Sequence, residues 1–136
     1  MRQSDTSGLR ALGAGPMSPG RDLEIIMLDT PSTIEIVFTT SELLALCPVT
    51  SQRDLYDARI ELGATATLES KSLKLYIASW EQETILAEDL TNTIADDVFA
   101  ALGNHATTVV VSLHQHVRGG VDITVTARRG SVERAS

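Results

Sequence analysis

The hydrophobic period of this chain switches from two to 3.6 and back again, and that constrains its fold more than any other feature. In DLYDARIELG (54–63), Tyr56, Ala58, Ile60 and Leu62 point one way while Asp57, Arg59 and Glu61 point the other, the alternation of a half-buried strand. Leu73, Tyr76, Ile77 and Trp80 then fall on one helical stripe. A second helix, starting at Thr84, carries Ile85, Leu86, Leu90, Ile94, Val98, Phe99 and Leu102 and stops at Gly103-Asn104. TTVVVSLHQHV (107–117) and VDITVTAR (121–128) return to strand, with Gly119-Gly120 as the turn of a hairpin.

Upstream, DLEIIML (22–28) and TIEIVFTT (33–40) are β-rich and flank a turn at Asp29-Thr30-Pro31-Ser32. Ser41 is expected to cap a short helical turn, SELLAL, that ends at Cys47-Pro48, because the residue before proline avoids the α region. The order is β-β-(turn)-β-α-α-β-β. Strands without crossover helices between them pair antiparallel, and two consecutive helices cover one face. The expectation is an α+β fold whose other sheet face is solvated or meets another subunit. One folded domain, 21–128, is expected between two flexible tails, a Gly/Ser/Pro-rich 1–20 and the polar 129–136.

Charge narrows the function. The net charge is −7, from 11 basic and 18 acidic residues, which argues against broad, sequence-independent nucleic-acid binding. Cys47 is the only cysteine, so no internal disulfide forms. No apolar run approaches the roughly 20 residues that span a bilayer, and the N-terminus lacks the apolar core of a signal peptide. A cytoplasmic, reduced setting is the expectation.

Four constellations carry possible chemistry. Glu69, Ser70, Lys71, Ser72 and Lys74 cluster at the front of the first helix. Lysine is out of place beside the positive end of a helix dipole. Free N–H groups, serine hydroxyls and two ammonium groups three residues apart make a phosphate-compatible site; a solvated helix face is the plainer reading. Cys47 lies at a turn seven residues before Asp54. A cysteine on a loop is better placed to react as thiolate than one in a core, and Asp54 supplies a proton if burial raises its pKa; a small buried cysteine is the plainer reading. Glu88 stands among Leu86 and Leu90, where a carboxylate accepts from the N–H edge of a purine-like ring if it faces a pocket; an exposed helix glutamate is the plainer reading. His114 and His116 share one strand face, but without an obvious third ligand no metal is expected.

Taken together, CPVTSQRD (47–54) and ESKSLKLY (69–76) resemble the 7-cyano-7-deazaguanine reductases of queuosine biosynthesis, nitrile reductases of the tunnelling-fold superfamily. Glu69 through Tyr76 satisfy every position of that family's cofactor motif. Cys47, Pro48, Thr50, Gln52 and Asp54 match its cysteine motif, Glu88-Asp89 its acidic pair, and Arg118-Gly119-Gly120 its Arg-Gly-Gly turn. The similarity covers about residues 35–125.

The resemblance implies a ββααββ unit assembled into a ring, pentameric or decameric, with active sites between subunits. It implies that Cys47 attacks the nitrile carbon to give a thioimide, that Asp54 handles protons, and that two hydrides from NADPH leave a primary amine. Glu69, Ser70, Lys71, Ser72 and Lys74 belong to the NADPH segment, and Glu88, with Ser70 and Arg118, to the deazapurine site. The departures are Ala87, where the family has histidine, and Ser51 and Arg53, where it has glycine and proline. They leave open a relative that adds ammonia to a nucleic-acid-borne nitrile without NADPH. A pterin-type cyclohydrolase wants a Cys/His zinc set not found here, and a silent purine-binding ring protein is a further alternative.

Overall fold

The structure, a computed structural model, describes residues 20–29, 32–117 and 119–131. Four strands form one antiparallel sheet in the order β2-β3-β5-β6: β2 (Ile34–Leu46), β3 (Arg53–Ala64), β5 (Ala106–Val117) and β6 (Val121–Gly130). Helices α1 (Ser70–Ala78) and α2 (Ala87–Leu102) follow β3 without a strand between them. The short strands β1 (Ile25–Met27) and β4 (Ala66–Leu68) form a separate two-stranded antiparallel pair. The α+β class and the antiparallel pairing are as the periodicity predicts.

Alternation decides which sheet face is covered. Tyr56, Ala58, Ile60 and Leu62 of β3, with Val109, Val111 and Leu113 of β5, bury against Leu73, Tyr76, Leu90, Ile94 and Val98 of the helices. Each large side chain so buried contributes roughly 1.5–3 kcal/mol. The opposite face is polar, with Arg59 paired to Glu61 at 2.9 Å and Ser112 sharing a hydrogen with Thr126 at 3.0 Å. Two polar contacts tie the helices down: the Tyr76 hydroxyl donates to Asp97 at 2.6 Å, and Arg129 of β6 donates to Asp96 of α2 at 2.8 Å.

Three boundaries differ from expectation. SELLAL is not a helical turn but the second half of β2. The register steps from Thr40↔Ala58 to Leu43↔Tyr56, so Ser41 and Glu42 form a bulge. The extra residue shifts the inward positions from Ile36 and Phe38 to Leu43 and Ala45, and that change of parity imitates a helical spacing. The second helix begins at Ala87 rather than Thr84, because residues 83–85 are tied alongside the end of β2. β6 runs through Arg128 and Arg129 to Gly130, past the expected edge at 128. Thr30 and Pro31 of the expected turn, residues 1–19 and residues 132–136 lie outside the described residues.

Candidate active site

The Cys47 loop is held at both ends. Leu46, the last residue of β2, donates its N–H to the Glu83 carbonyl at 2.8 Å and accepts from the Ile85 N–H at 3.0 Å. The loop then closes on itself: the Cys47 N–H donates to the Gln52 carbonyl and the Ser51 N–H to the Cys47 carbonyl, each at 2.8 Å. Ser51 pays for this tight reversal with a left-handed φ of 61°, at the position where the resemblance calls for glycine.

The loop activates the thiol. Hydrogen bonds from the Thr50 hydroxyl, then from the backbone of Thr50 and Val49, hold the Cys47 pKa below its ordinary value. Desolvation and the charge of Asp54 pull weakly the other way. Asp54 stands opposite Ala45 in the β2–β3 register and is half-buried. Removal from water raises its pKa, so it keeps a proton to higher pH than a free carboxyl. Cys47, Thr50, Arg53, Asp54, Gln115 and His116 line one open cleft of about 890 Å³.

Glu88 approaches this region because the 83–85 stitch fixes the chain beside Leu46 just before α2 begins. It is exposed in the first turn of α2, beside Asp89, where the helix dipole favours negative charge. Cys47, Asp54 and Glu88 all act electrostatically on one further group, the hydroxyl of Tyr56, whose pKa burial and these three neighbours push far up. Tyr56 was legible in the sequence only as a core residue.

The lysine segment starts α1, but it is not a set of free donors. Glu69 is the N-cap: one carboxylate oxygen accepts from the Lys71 N–H at 2.8 Å and the other from the Ser72 N–H at 2.7 Å. The expected anion site at these N–H groups is thus filled by the chain's own buried carboxylate. The Ser72 hydroxyl donates to the Glu69 carbonyl at 2.9 Å and accepts from the Glu24 N–H at 3.0 Å. Ser70 and Lys74 are exposed, and both line a second cleft, of about 390 Å³, floored by Phe38, Ile60, Leu73 and Ile77. Lys71 is half-buried and does not line it. Within one chain the two clefts share no lining residue.

Arg118 lies outside the described residues. The histidines have a companion that sequence reading missed: hairpin register sets Asp122 opposite His116, and ligand atoms of His114, His116 and Asp122 lie within 4.8 Å of one another. Counting pairs outward from Gly119-Gly120 would have found it.

Fold and site together define a small α+β protein that presents an activated thiol beside a proton-retaining carboxylate at the edge of an antiparallel sheet. Sequence comparison places it more closely. The family model described as QueF-like protein matches residues 59–134. An NADPH-dependent 7-cyano-7-deazaguanine reductase of Syntrophus aciditrophicus (strain SB) is 42% identical over 90% of this chain and 87% of its own length. A protein of the same name from Anaeromyxobacter sp. (strain K) is 38% identical over 85% of this chain and 94% of its own. The crystal structure of the archaeosine synthase QueF-Like in the apo form matches with a TM-score of 0.64 over 77% of this chain and 100% of that one, at 24% identity, a likeness of fold. The chain belongs to the QueF-like family.

Proposed function

We propose that this chain is an NADPH-dependent 7-cyano-7-deazaguanine reductase that converts the nitrile to a primary amine through a covalent thioimide on Cys47. The observation that carries this reading is the pairing, in one cleft, of a thiol with a lowered pKa and a carboxyl with a raised one. The relatives named for that reaction match this chain over most of its length.

Each partner has one task. The Cys47 thiolate attacks the nitrile carbon; a C–S bond forms, one C–N π-bond opens, and the nitrogen takes a proton from Asp54. Cys47 would then hold the carbon in place through the first reduction, with the nitrogen taking a second proton from solvent; the C–S bond would break with its electron pair going to sulfur, leaving a protonated imine for the second reduction. Bound NADPH supplies one hydride at each reduction and ends as NADP⁺. Glu88 accepts from the N–H edge of the heterocycle, with Ser70 and Arg118 as further substrate contacts.

The α1 cleft fits part of a dinucleotide: an apolar floor, the hydroxyls of Thr39, Thr40 and Ser70, and the Lys74 ammonium at its rim, with Lys71 one turn back. We assign Ser70, Lys71 and Lys74 to the cofactor's phosphates. Glu69 and Ser72 belong to the same segment as the residues that shape it.

The domain is a tunnelling-fold unit spanning 21–128 and continuing to Gly130, and it closes into a ring, a pentamer or a decamer of two. The separation of the two clefts within one chain supports a site completed by a neighbouring subunit. No helix among the described residues is long and apolar enough to cross a membrane. A cytoplasmic location is part of the proposal, resting on the single unpaired cysteine that the chemistry needs reduced.

The test is to mix purified protein with 7-cyano-7-deazaguanine and NADPH and follow the nicotinamide absorbance. Oxidation of two NADPH per nitrile is expected, because a nitrile takes up four electrons on its way to an amine. A stable covalent adduct with no oxidation would overturn the reading.

A further inference from the structure

Beside the site, Tyr56 carries a buried polar atom that no described residue uses. It is 1% exposed, and its hydroxyl has no hydrogen-bond partner among the described residues. A buried hydroxyl left unpaired is costly, and folded proteins seldom keep one. The backbone places it deliberately: Tyr56 is two residues beyond Asp54 on β3, so both side chains leave the same sheet face, about 7 Å apart along the strand. Leu43 on β2 and Gln115 on β5 are its neighbours across the sheet, and the Gln115 pair is the last of the β3–β5 ladder, at the end of the sheet where the Cys47 loop lies. The hydroxyl feels the charges of Asp54, Cys47 and Glu88 together, which come from β3, the β2–β3 loop and the start of α2. It donates to none of them.

The chemistry of the ligand says what such a donor is for. On a 7-cyano-7-deazaguanine held with its nitrile at Cys47 and its N–H edge at Glu88, one polar atom stands between those two ends on that side of the ring: the exocyclic carbonyl oxygen, an acceptor. We propose that the Tyr56 hydroxyl is a specificity-determining contact that donates a hydrogen bond to this ring carbonyl, an inference that rests on the proposed substrate. Burial beside acidic groups keeps the phenol protonated, so it remains a donor throughout the working pH range. No described residue pairs that donor, and seating the heterocycle satisfies it.

Tyr56→Phe removes only the oxygen, and it separates this role from a structural one. A tyrosine that holds the fold together through its hydroxyl loses stability as phenylalanine; one whose hydroxyl is unpaired does not. The expected result is an unchanged or higher melting temperature, with the KM for the nitrile raised about tenfold or more and the KM for NADPH unchanged. Calorimetric titration of 7-cyano-7-deazaguanine into Cys47→Ala and into Cys47→Ala with Tyr56→Phe reads the same loss without the covalent step. The analogue lacking the carbonyl oxygen should bind both proteins alike. Equal affinity of the two proteins for the intact heterocycle, or a lowered melting temperature of Tyr56→Phe, overturns the inference and leaves the reductase reading standing. Absence of any binding or NADPH oxidation by the wild-type protein overturns both.

Discussion

The Cys47 loop and the start of α1 are both places where polar groups converge, and they are organised in opposite senses. At α1 the chain satisfies itself: both oxygens of Glu69 accept backbone N–H groups, and the Ser72 hydroxyl both donates and accepts. At the sheet edge the chain leaves chemistry unspent: a thiol shifted toward thiolate, a carboxyl shifted toward its acid form, and a phenol with no acceptor among the described residues. The difference teaches that a motif mixes two kinds of residue. Some make the element begin, and others meet the ligand, and only the hydrogen bonds tell them apart.

The sharpest way to break the comparison is at the thiol. Cys47→Ala should abolish the adduct and lower turnover by at least about a thousandfold. Its melting temperature should barely move, since the residue sits on a loop rather than in the core. Asp54→Asn comes next, with turnover down on the order of 10²–10⁴-fold. Its pH behaviour is the finer test. In the wild type, alkylation of Cys47, which needs only the thiolate, should rise with pH and level off below the ordinary thiol value of 9.0, because the thiol pKa is lowered. Turnover also needs the proton that Asp54 keeps to higher pH than a free carboxyl, so its pH profile should carry a second limb that follows Asp54. Asp54→Asn should remove that limb and, by deleting a negative neighbour, lower the thiol pKa further. Stability carries the matching sign. The folded-state pKa of Asp54 lies above the unfolded 3.8, so the stability it contributes is full below 3.8 and is lost as pH rises through the folded value. At neutral pH the asparagine variant should therefore melt no lower than the wild type, and a lower melting temperature would mean that Asp54 is structural.

How much of this was legible follows from range. Alternation in β3 and the stripe Leu73, Tyr76, Ile77 and Trp80 are local signals, and they placed the sheet face and the first helix correctly. The bulge at Ser41–Glu42 is set by pairing with β3, so SELLAL alone could not reveal it. Thr84 is drawn out of the second helix by its bridge to Leu46, again a contact between distant residues. Glu69 is not among the usual N-cap residues, so its capping role did not show in the sequence. Tyr56 was correctly placed on the inward face, but an unpaired hydroxyl is a property of the whole surroundings rather than of one strand.

At α1, two substitutions should separate capping from cofactor contact. Glu69→Ala strands the N–H groups of Lys71 and Ser72 and removes the anion that offsets Lys71 and Lys74 at the helix front. It should cost about 1–3 kcal/mol, read as a lower urea midpoint. Lys74→Ala touches an exposed side chain, so stability should stay within about 0.5 kcal/mol while the KM for NADPH rises about tenfold. The reverse outcome, a destabilised lysine variant and a glutamate variant altered only in cofactor affinity, would exchange the two roles.

The smallest effect lies back at the loop, in the strain that holds Cys47 between its donors. Ser51 adopts φ 61°, a left-handed conformation that costs an L-residue roughly 1–2 kcal/mol and glycine almost nothing. Ser51→Gly should relieve this, but it also frees the unfolded chain, so the net gain is expected at only about 0.5–1 kcal/mol in the urea midpoint. Ser51→Val, β-branched and poorly suited to positive φ, should lose at least as much. The pair also reads the thiol. If strain at Ser51 is what turns the Thr50 and Val49 donors toward sulfur, Ser51→Gly should raise the thiol pKa measured by alkylation rate against pH, since a freer loop holds those donors less firmly. If the pKa stays where it is while the midpoint rises, the loop's strain is incidental, and the hydrogen bonds alone set the reactivity at this end of the molecule.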